Sequence, residues 1–299
     1  MSPTRPANPP QPADGAPLPA ADPPRHTEPG DAARSDRAPF PTIRSVEFAA
    51  PFKWLWQGAR SFYACPAPCL FYGLCFAAMG WVLGALLRES PGLMMALIGG
   101  FLLVGPFMAM GLYEVARRHE CGERCSITRT TVAWRRNLMN IAILGIGLGI
   151  LLALWARSSM MVIAIFFPRQ MPSIQLLLSQ LALGSNLEFV ATYLVVGAVF
   201  ALLVFAFSAI AIPLMLDRGT DAITAMLASV VAVGRNLPAM LSWAVIVVAL
   251  TVFGFVTFFV GLIVTVPLVG LATWHSYRDL VMPADAGATS ADGGATAMP

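Results

Sequence analysis

The sequence predicts an all-α membrane protein: a polytopic transmembrane helical bundle of six spans in three repeated units, with the N- and C-termini cytoplasmic. Three observations carry this expectation. Of the 299 residues, 57% are apolar and only 12% are charged, against about 25% charged in a soluble domain. The apolar residues come in unbroken runs of about 20, the length that crosses a bilayer core of about 30 Å. The arginines gather on one side of those runs.

Residues 1–45 form a tail rich in Pro, Ala, Asp and Arg. Its few large apolar residues cannot offset the entropy of ordering it, so it is expected to be disordered. No apolar run follows the start, so no signal peptide is expected. Residues 283–299 form a second such tail. Between them, 46–282 is the membrane domain, with spans expected at about 67–87, 93–116, 138–157, 190–216, 237–256 and 259–277. The last two share Leu237–Trp274, a stretch without a charge. As one helix it would be about 57 Å long, nearly twice the bilayer core, so it must fold back, with Gly254 and Gly261 bracketing the turn. With both termini inside, 16 Lys/Arg face the cytoplasm and only Arg88, Arg157 and Arg169 face out. That asymmetry sets the orientation.

The triplet Arg-Asn-Leu occurs at 136–138 and again at 235–237, each time at the start of a long apolar run. Before the second lies a stretch with Ile223, Met226, Leu227, Val230 and Val231 on one helical face. Before the first span, Phe52, Leu55, Trp56, Ala59, Phe62 and Tyr63 do the same, with Lys53, Gln57 and Arg60 outside that face. Residues 126–140 show a weaker version. These read as amphipathic helices lying in the membrane interface. Each precedes two spans, the second of which carries a proline: Pro106, Pro213 or Pro267. An acid–base cluster follows each: Glu114 with Arg117 and Arg118, Asp217 with Arg218, Asp279 with Arg278. The chain therefore reads as three copies of one unit, in the same orientation, about an axis along the membrane normal. In the triplet, arginine meets phosphates, asparagine caps the entering helix and leucine begins the span.

Little in this pattern carries chemistry. The candidate functional positions are Pro106, Pro213 and Pro267, as hinges or as static kinks, together with Glu114, Arg157 and His275. Arg157 lies about 28 Å along a helix from Leu138, at the outer headgroups. The apolar residues beyond it, and the long run Leu187–Leu216, predict an external helical hairpin capped by Ser173–Leu183. Gly80 with Gly84, and Gly145 with Gly149, offer close helix packing within the monomer or between copies. Trp274 and Tyr277 read as an interfacial aromatic belt. A His275–Asp279 pair lacks a nucleophile. The five cysteines, Cys65, Cys69, Cys75, Cys121 and Cys125, do not read as a disulfide framework. Four of them near His119 could ligate zinc, but free thiols are the simpler expectation. No histidine falls mid-membrane, where a haem or copper ligand would be needed. No cofactor, no metal, no enzymatic activity and no nucleic-acid partner are expected.

The segments KWLWQGARSFYACPAP, FLLVGPFMAMGLYEVARR, RNLMN, FAFSAIAIPLMLDR, DAITAMLASVVAVGRNLPAML and GLATWHSYRDLV together resemble a bacterial family of integral membrane proteins, domain of unknown function 2189. The resemblance covers roughly Ser45–Val281. It implies a multi-pass protein of the bacterial inner membrane, and brings with it no activity, cofactor or site residue. Two functions remain open. One is a non-enzymatic component that binds membrane lipids and another membrane protein. The other is a transporter or channel for a small or apolar solute.

Overall fold

The structure is a computed structural model, and it describes residues 40–86, 108–131, 137–168 and 186–282. Their regular elements are helices: α1 (Ala50–Ala64), α2 (Pro66–Leu86), α3 (residues 108–120), α4 (Ile127–Thr130), α5 (Leu138–Phe166), α6 (Leu187–Ser208), α7 (Ala211–Arg218), α8 (Ala222–Arg235), α9 (Leu237–Val256) and α10 (Leu262–Leu280). One antiparallel bridge, Ile43 to Val281, joins the segments that flank the bundle. Pro106, the start of the second expected span and the Ser173–Leu183 cap lie outside the described residues.

Among the described residues, three helical stretches are long and apolar enough to cross a membrane: α5, the α6–α7 pair and α9. Only 11%, 17% and 22% of their most apolar windows are buried. Their outward stripes, such as Ile146, Ile150, Leu154, Met161 and Ile165 on α5, are exposed. A water-soluble fold does not present such a surface, because large contiguous apolar patches mark interaction with membrane or protein. The α1–α2 pair passes the same test only as a unit, bent by 107°. That bend follows from Pro66 and Pro68, whose missing N–H groups start a new helix rather than continue α1.

α2, α5 and α9 begin within a residue of the expected positions. α5 runs unbroken past Arg157 to Phe166, a length of about 43 Å, as the projecting hairpin requires. The expected fourth span, by contrast, is two helices. α6 stops at Ser208, residues 209–210 form a turn, and α7 begins at Ala211. Pro213 is the cause: it cannot donate to the Ala209 carbonyl, and its ring crowds that carbonyl. The three prolines are also not equivalent in place. Counting back from the acid that follows each, Pro213 lies four residues before Asp217 and Pro267 twelve before Asp279.

The fold-back of the last two helices falls at Thr257–Gly261, between Gly254 and Gly261 as expected. Phe258 and Phe259 adopt left-handed φ of 53° and 66°. The turn is held by the Gly261 N–H donating to Thr257 Oγ1 at 2.9 Å and by Trp81 Nε1 donating to the Phe258 carbonyl at 2.7 Å. The Phe259 ring lies in the notch left by Gly80 and Gly84 of α2. That glycine pair is thus used inside the monomer. Gly145 and Gly149 face open space.

α10 is the central helix, packed mainly on α1 and α2. Pro267 leaves the Ile263 carbonyl without its helical donor. Gly73 of α2 comes so near this carbonyl that a Cβ at 73 would lie 2.0 Å from the oxygen. Gly58 of α1 also lies against backbone, where a Cβ would be 2.8 Å from the Ala272 nitrogen. The in-plane helices therefore bury small residues and leave outward the large apolar residues of the face that the interfacial reading expects to meet the membrane. α1 buries Pro51, Trp54, Gly58 and Ser61, and exposes Phe52, Trp56 and Tyr63. α8 buries Ala225, Ala228, Ser229 and Ala232, and exposes Ile223, Leu227, Val230 and Val231. Where lipid solvates large apolar groups as well as protein does, helices pack through small residues. Trp274 and Tyr277, by contrast, are not the expected lipid-facing belt: both are buried.

The two triplet asparagines start α5 and α9 as expected, but neither side chain caps its helix. Asn137 Nδ2 donates to the carbonyls of Met215 and Thr220, both at 3.3 Å. Asn236, buried, accepts from the Val46 N–H at 2.8 Å and donates to the Arg44 carbonyl at 3.0 Å. They tie distant chain segments instead.

Gly73→Ala should destabilise the protein by about 1–3 kcal/mol through overpacking, read as a lowered thermal midpoint in detergent. Gly145→Ala, with open space around it, should leave the midpoint unchanged or slightly raised.

Candidate functional site

The C-terminal ends of α3, α7 and α10 meet the inner face of α1 in one polar cluster. Each end is the last turn of an expected span, so its charges sit where apolar helix gives way to the interface. On α3, Glu114 is buried, 2% exposed. It accepts from Arg117 Nε and Nη2, both at 2.7 Å, and from Arg118 Nε at 2.8 Å. A buried carboxylate is costly unless paired, and two guanidinium groups on the next helical turn supply the pairing. Arg118 also reaches Glu123 at 2.8 Å.

His275 of α10 lies between two helices. Its Nε2 is 3.0 Å from Ser61 Oγ of α1, and its Nδ1 is 3.4 Å from Glu120 Oε1 at the end of α3. Glu120 Oε2 is 3.4 Å from Arg278 Nε. Burial pushes the Glu120 carboxyl up, but the His275 and Trp274 side chains and the nearby Arg278 charge outweigh it, holding the group below the usual carboxylate range. Tyr277 Oη donates to Asp217 of α7 at 2.6 Å, and Arg278 Nη1 lies 3.6 Å from the same carboxylate. Asp279 accepts from Trp54 Nε1 at 2.9 Å and pairs with Lys53 at 3.3 Å. Arg218 donates to the Met282 carbonyl.

The sequence candidates thus have different fates. Glu114 and His275 are in the cluster. His275 and Asp279 point to different partners and do not form the pair considered from their spacing. Arg157 is exposed on α5. Pro213 marks the α6–α7 break and Pro267 lies inside α10. No local motif signals Ser61, Glu120, Trp54 or Tyr277 as site residues, since their partners are far away in the sequence.

Serine, imidazole and carboxylate in a row are the parts of a nucleophilic relay. Here Ser61 is 2% exposed, on the inner face of a helix. What the row does is lock α1, α3 and α10 together. The cysteines depart from expectation. Cys65 and Cys125 form a disulfide with Cα atoms 5.9 Å apart, while Cys69 is buried and Cys121 exposed. Among the described residues there is no group of three or more His, Cys, Asp or Glu able to hold a metal ion.

Residues 93–217 match the model of the family described as predicted integral membrane protein (DUF2189). With its apolar helices, the chain is a membrane protein carrying a domain of unknown function. The match runs from the second expected span through Asp217, a narrower range than the resemblance over Ser45–Val281. No curated protein and no solved structure matches the chain significantly.

Glu120→Gln should lower the thermal midpoint at neutral pH. A carboxyl whose pKa is depressed by folding adds stability above its unfolded pKa and loses it as pH falls through the folded value. The gap between wild type and Glu120→Gln should therefore close on acidification below the ordinary carboxylate range, read by midpoints across a pH series.

Proposed function

We propose that this is a six-span protein of the bacterial inner membrane, with both termini cytoplasmic, and that it acts without catalysis as a binding or assembly component. α2, α10 and the span that ends in α3 complete the six. The orientation is supported by the gathering of Arg44, Lys53, Arg117, Arg118, Arg218 and Arg278 at the polar end, which the positive-inside rule assigns to the cytoplasm.

One observation carries the non-enzymatic reading. Most of the acid–base ties of the polar end join one helix to another, and the buried Glu114 is paired on its own helix, which supports a structural use of these groups. Membrane lipids are the first partner. A cleft of about 420 Å³ lined by Arg44, Glu47, Lys53 and Asp279 opens beside the exposed Phe48 and Phe52, matching a headgroup above acyl chains. The second partner is another membrane protein. The alternative, a transporter for a small or apolar solute, draws on the α6–α7 break, since broken helices form transporter sites.

Purification from native membranes in mild detergent, with mass spectrometry of what accompanies the chain, separates the two. The binding reading predicts a membrane protein at fixed stoichiometry. A chain that emerges alone with lipid contradicts it, and favours the transporter, for which Pro213→Ala should reduce solute flux in vesicles.

A further inference from the structure

Three positions in this chain do the same mechanical work with different chemistry. Asn137, entering α5, holds Met215 and Thr220, the stretch that leads into α8. Asn236, entering α9, holds Arg44 and Val46, the stretch that leads into α1. Cys65, entering α2, is bonded to Cys125, the stretch that leads into α4. In each case the residue at the start of a unit's first span ties down the chain that enters the next unit's in-plane helix. The third unit closes back on the first.

The register supports this equivalence independently. Gly58 lies seven residues before Cys65, and Ser229 seven before Asn236. Gly58 meets Ala272, which is seven before Asp279. Ser229 Oγ accepts from the Ile210 N–H at 3.3 Å, and Ile210 is seven before Asp217. The same small position on two in-plane helices therefore packs on the same position of the preceding unit's last helix.

We propose that the Cys65–Cys125 bond is a redox-dependent stand-in for an asparagine tie, so that one of the ring's three ties opens and closes with thiol state while the other two stay shut. The inference rests on the orientation proposed above. Both sulfurs lie at the arginine-rich end, and in the cytoplasm thiols are kept reduced, so a disulfide there is transient or redox-sensing. Closing the tie takes two thiols and a low-molecular-weight disulfide, and gives the protein disulfide and two low-molecular-weight thiols. Opening is the reverse exchange. When open, the 121–131 segment keeps the hydrogen bond from Tyr72 Oη to Thr130 Oγ1 at 3.0 Å but loses its covalent hold on the α1–α2 corner. Glu120, which meets His275 and Arg278, heads that segment and is the group loosened.

The test uses the full chain in membrane vesicles of both orientations, equilibrated with reduced or oxidised glutathione. Alkylation followed by peptide mass spectrometry reads Cys65 and Cys125. A membrane-impermeant maleimide reads the exposed Cys121. In inside-out vesicles the pair should be alkylated under reduced glutathione and protected under oxidised, with Cys121 labelled only in that orientation. A pair that stays alkylated under oxidised glutathione, or stays bonded under reduced, overturns the switch while the Cys121 result leaves the orientation standing. Cys121 labelled only in right-side-out vesicles overturns the orientation, and the switch with it. Cys65→Asn supplies a second readout. It should melt several degrees above the reduced wild type and be indifferent to glutathione state, whereas Cys65→Ala should melt below it. Asparagine no better than alanine would show that position 65 is not a third tie.

Discussion

The seam between α1 and α10 is the contact on which the rest depends. A Cβ at Gly58 would lie 2.8 Å from the Ala272 backbone nitrogen, so the two helices touch backbone to backbone. In lipid no hydrophobic force draws helices together, and close packing with hydrogen bonding must hold them. The short approach brings Trp54 to Asp279 and Ser61 to His275. It also brings residues 42–46 beside 280–282, where Arg44 N–H donates to Leu280 at 2.7 Å and Met282 N–H to Thr42 at 3.0 Å. A larger residue at 58 would push these pairs apart together. The third unit would then no longer close on the first.

The polar end gains its order from this closure. Each acid near a helix end is answered by a group on another helix or the next turn: Glu114 by two arginines, Asp217 by Tyr277 and Arg278, Asp279 by Trp54 and Lys53, Glu120 by His275 and Arg278. Such ties specify how helices meet, since a charge buried in protein is costly unless it is paired. They also leave the outward face to the large apolar side chains of α1 and α8. The arrangement ties the helix ends to one another and leaves large apolar side chains on the outside.

Much of the fold was legible in the sequence. The starts of α2, α5 and α9 follow from unbroken apolar runs, and the turn at Thr257–Gly261 from the impossible length of one helix. The break before Pro213 was readable in principle, as its lost donor was known. The outward faces of α1 and α8 are legible too, since periodicity separates apolar from polar and Phe52, Trp56, Ile223 and Leu227 are exposed. The inward faces are less legible, because they are chosen by size: Gly58 and Ala228 go in. Trp274 and Tyr277 carry the residue types of interfacial anchors, and are buried instead. The site was mostly hidden. His275 was visible as a residue, but Ser61 stands 214 positions away, and only the packing of α1 on α10 joins them. The repeated asparagines were visible too, though their role as ties depends on segments up to 192 residues distant.

Ring closure is the central claim, and amide hydrogen exchange on the detergent-solubilised protein tests it most directly. Residues 42–46 lie beside a Pro-rich tail and outside any helix, so only their ties to 280–282 and Asn236 can slow their exchange. The account predicts that Arg44 and Val46 exchange as slowly as the ends of α10, and that Asn236→Ala speeds both. Exchange in wild type as fast as that of an unstructured tail would contradict closure of the third unit on the first.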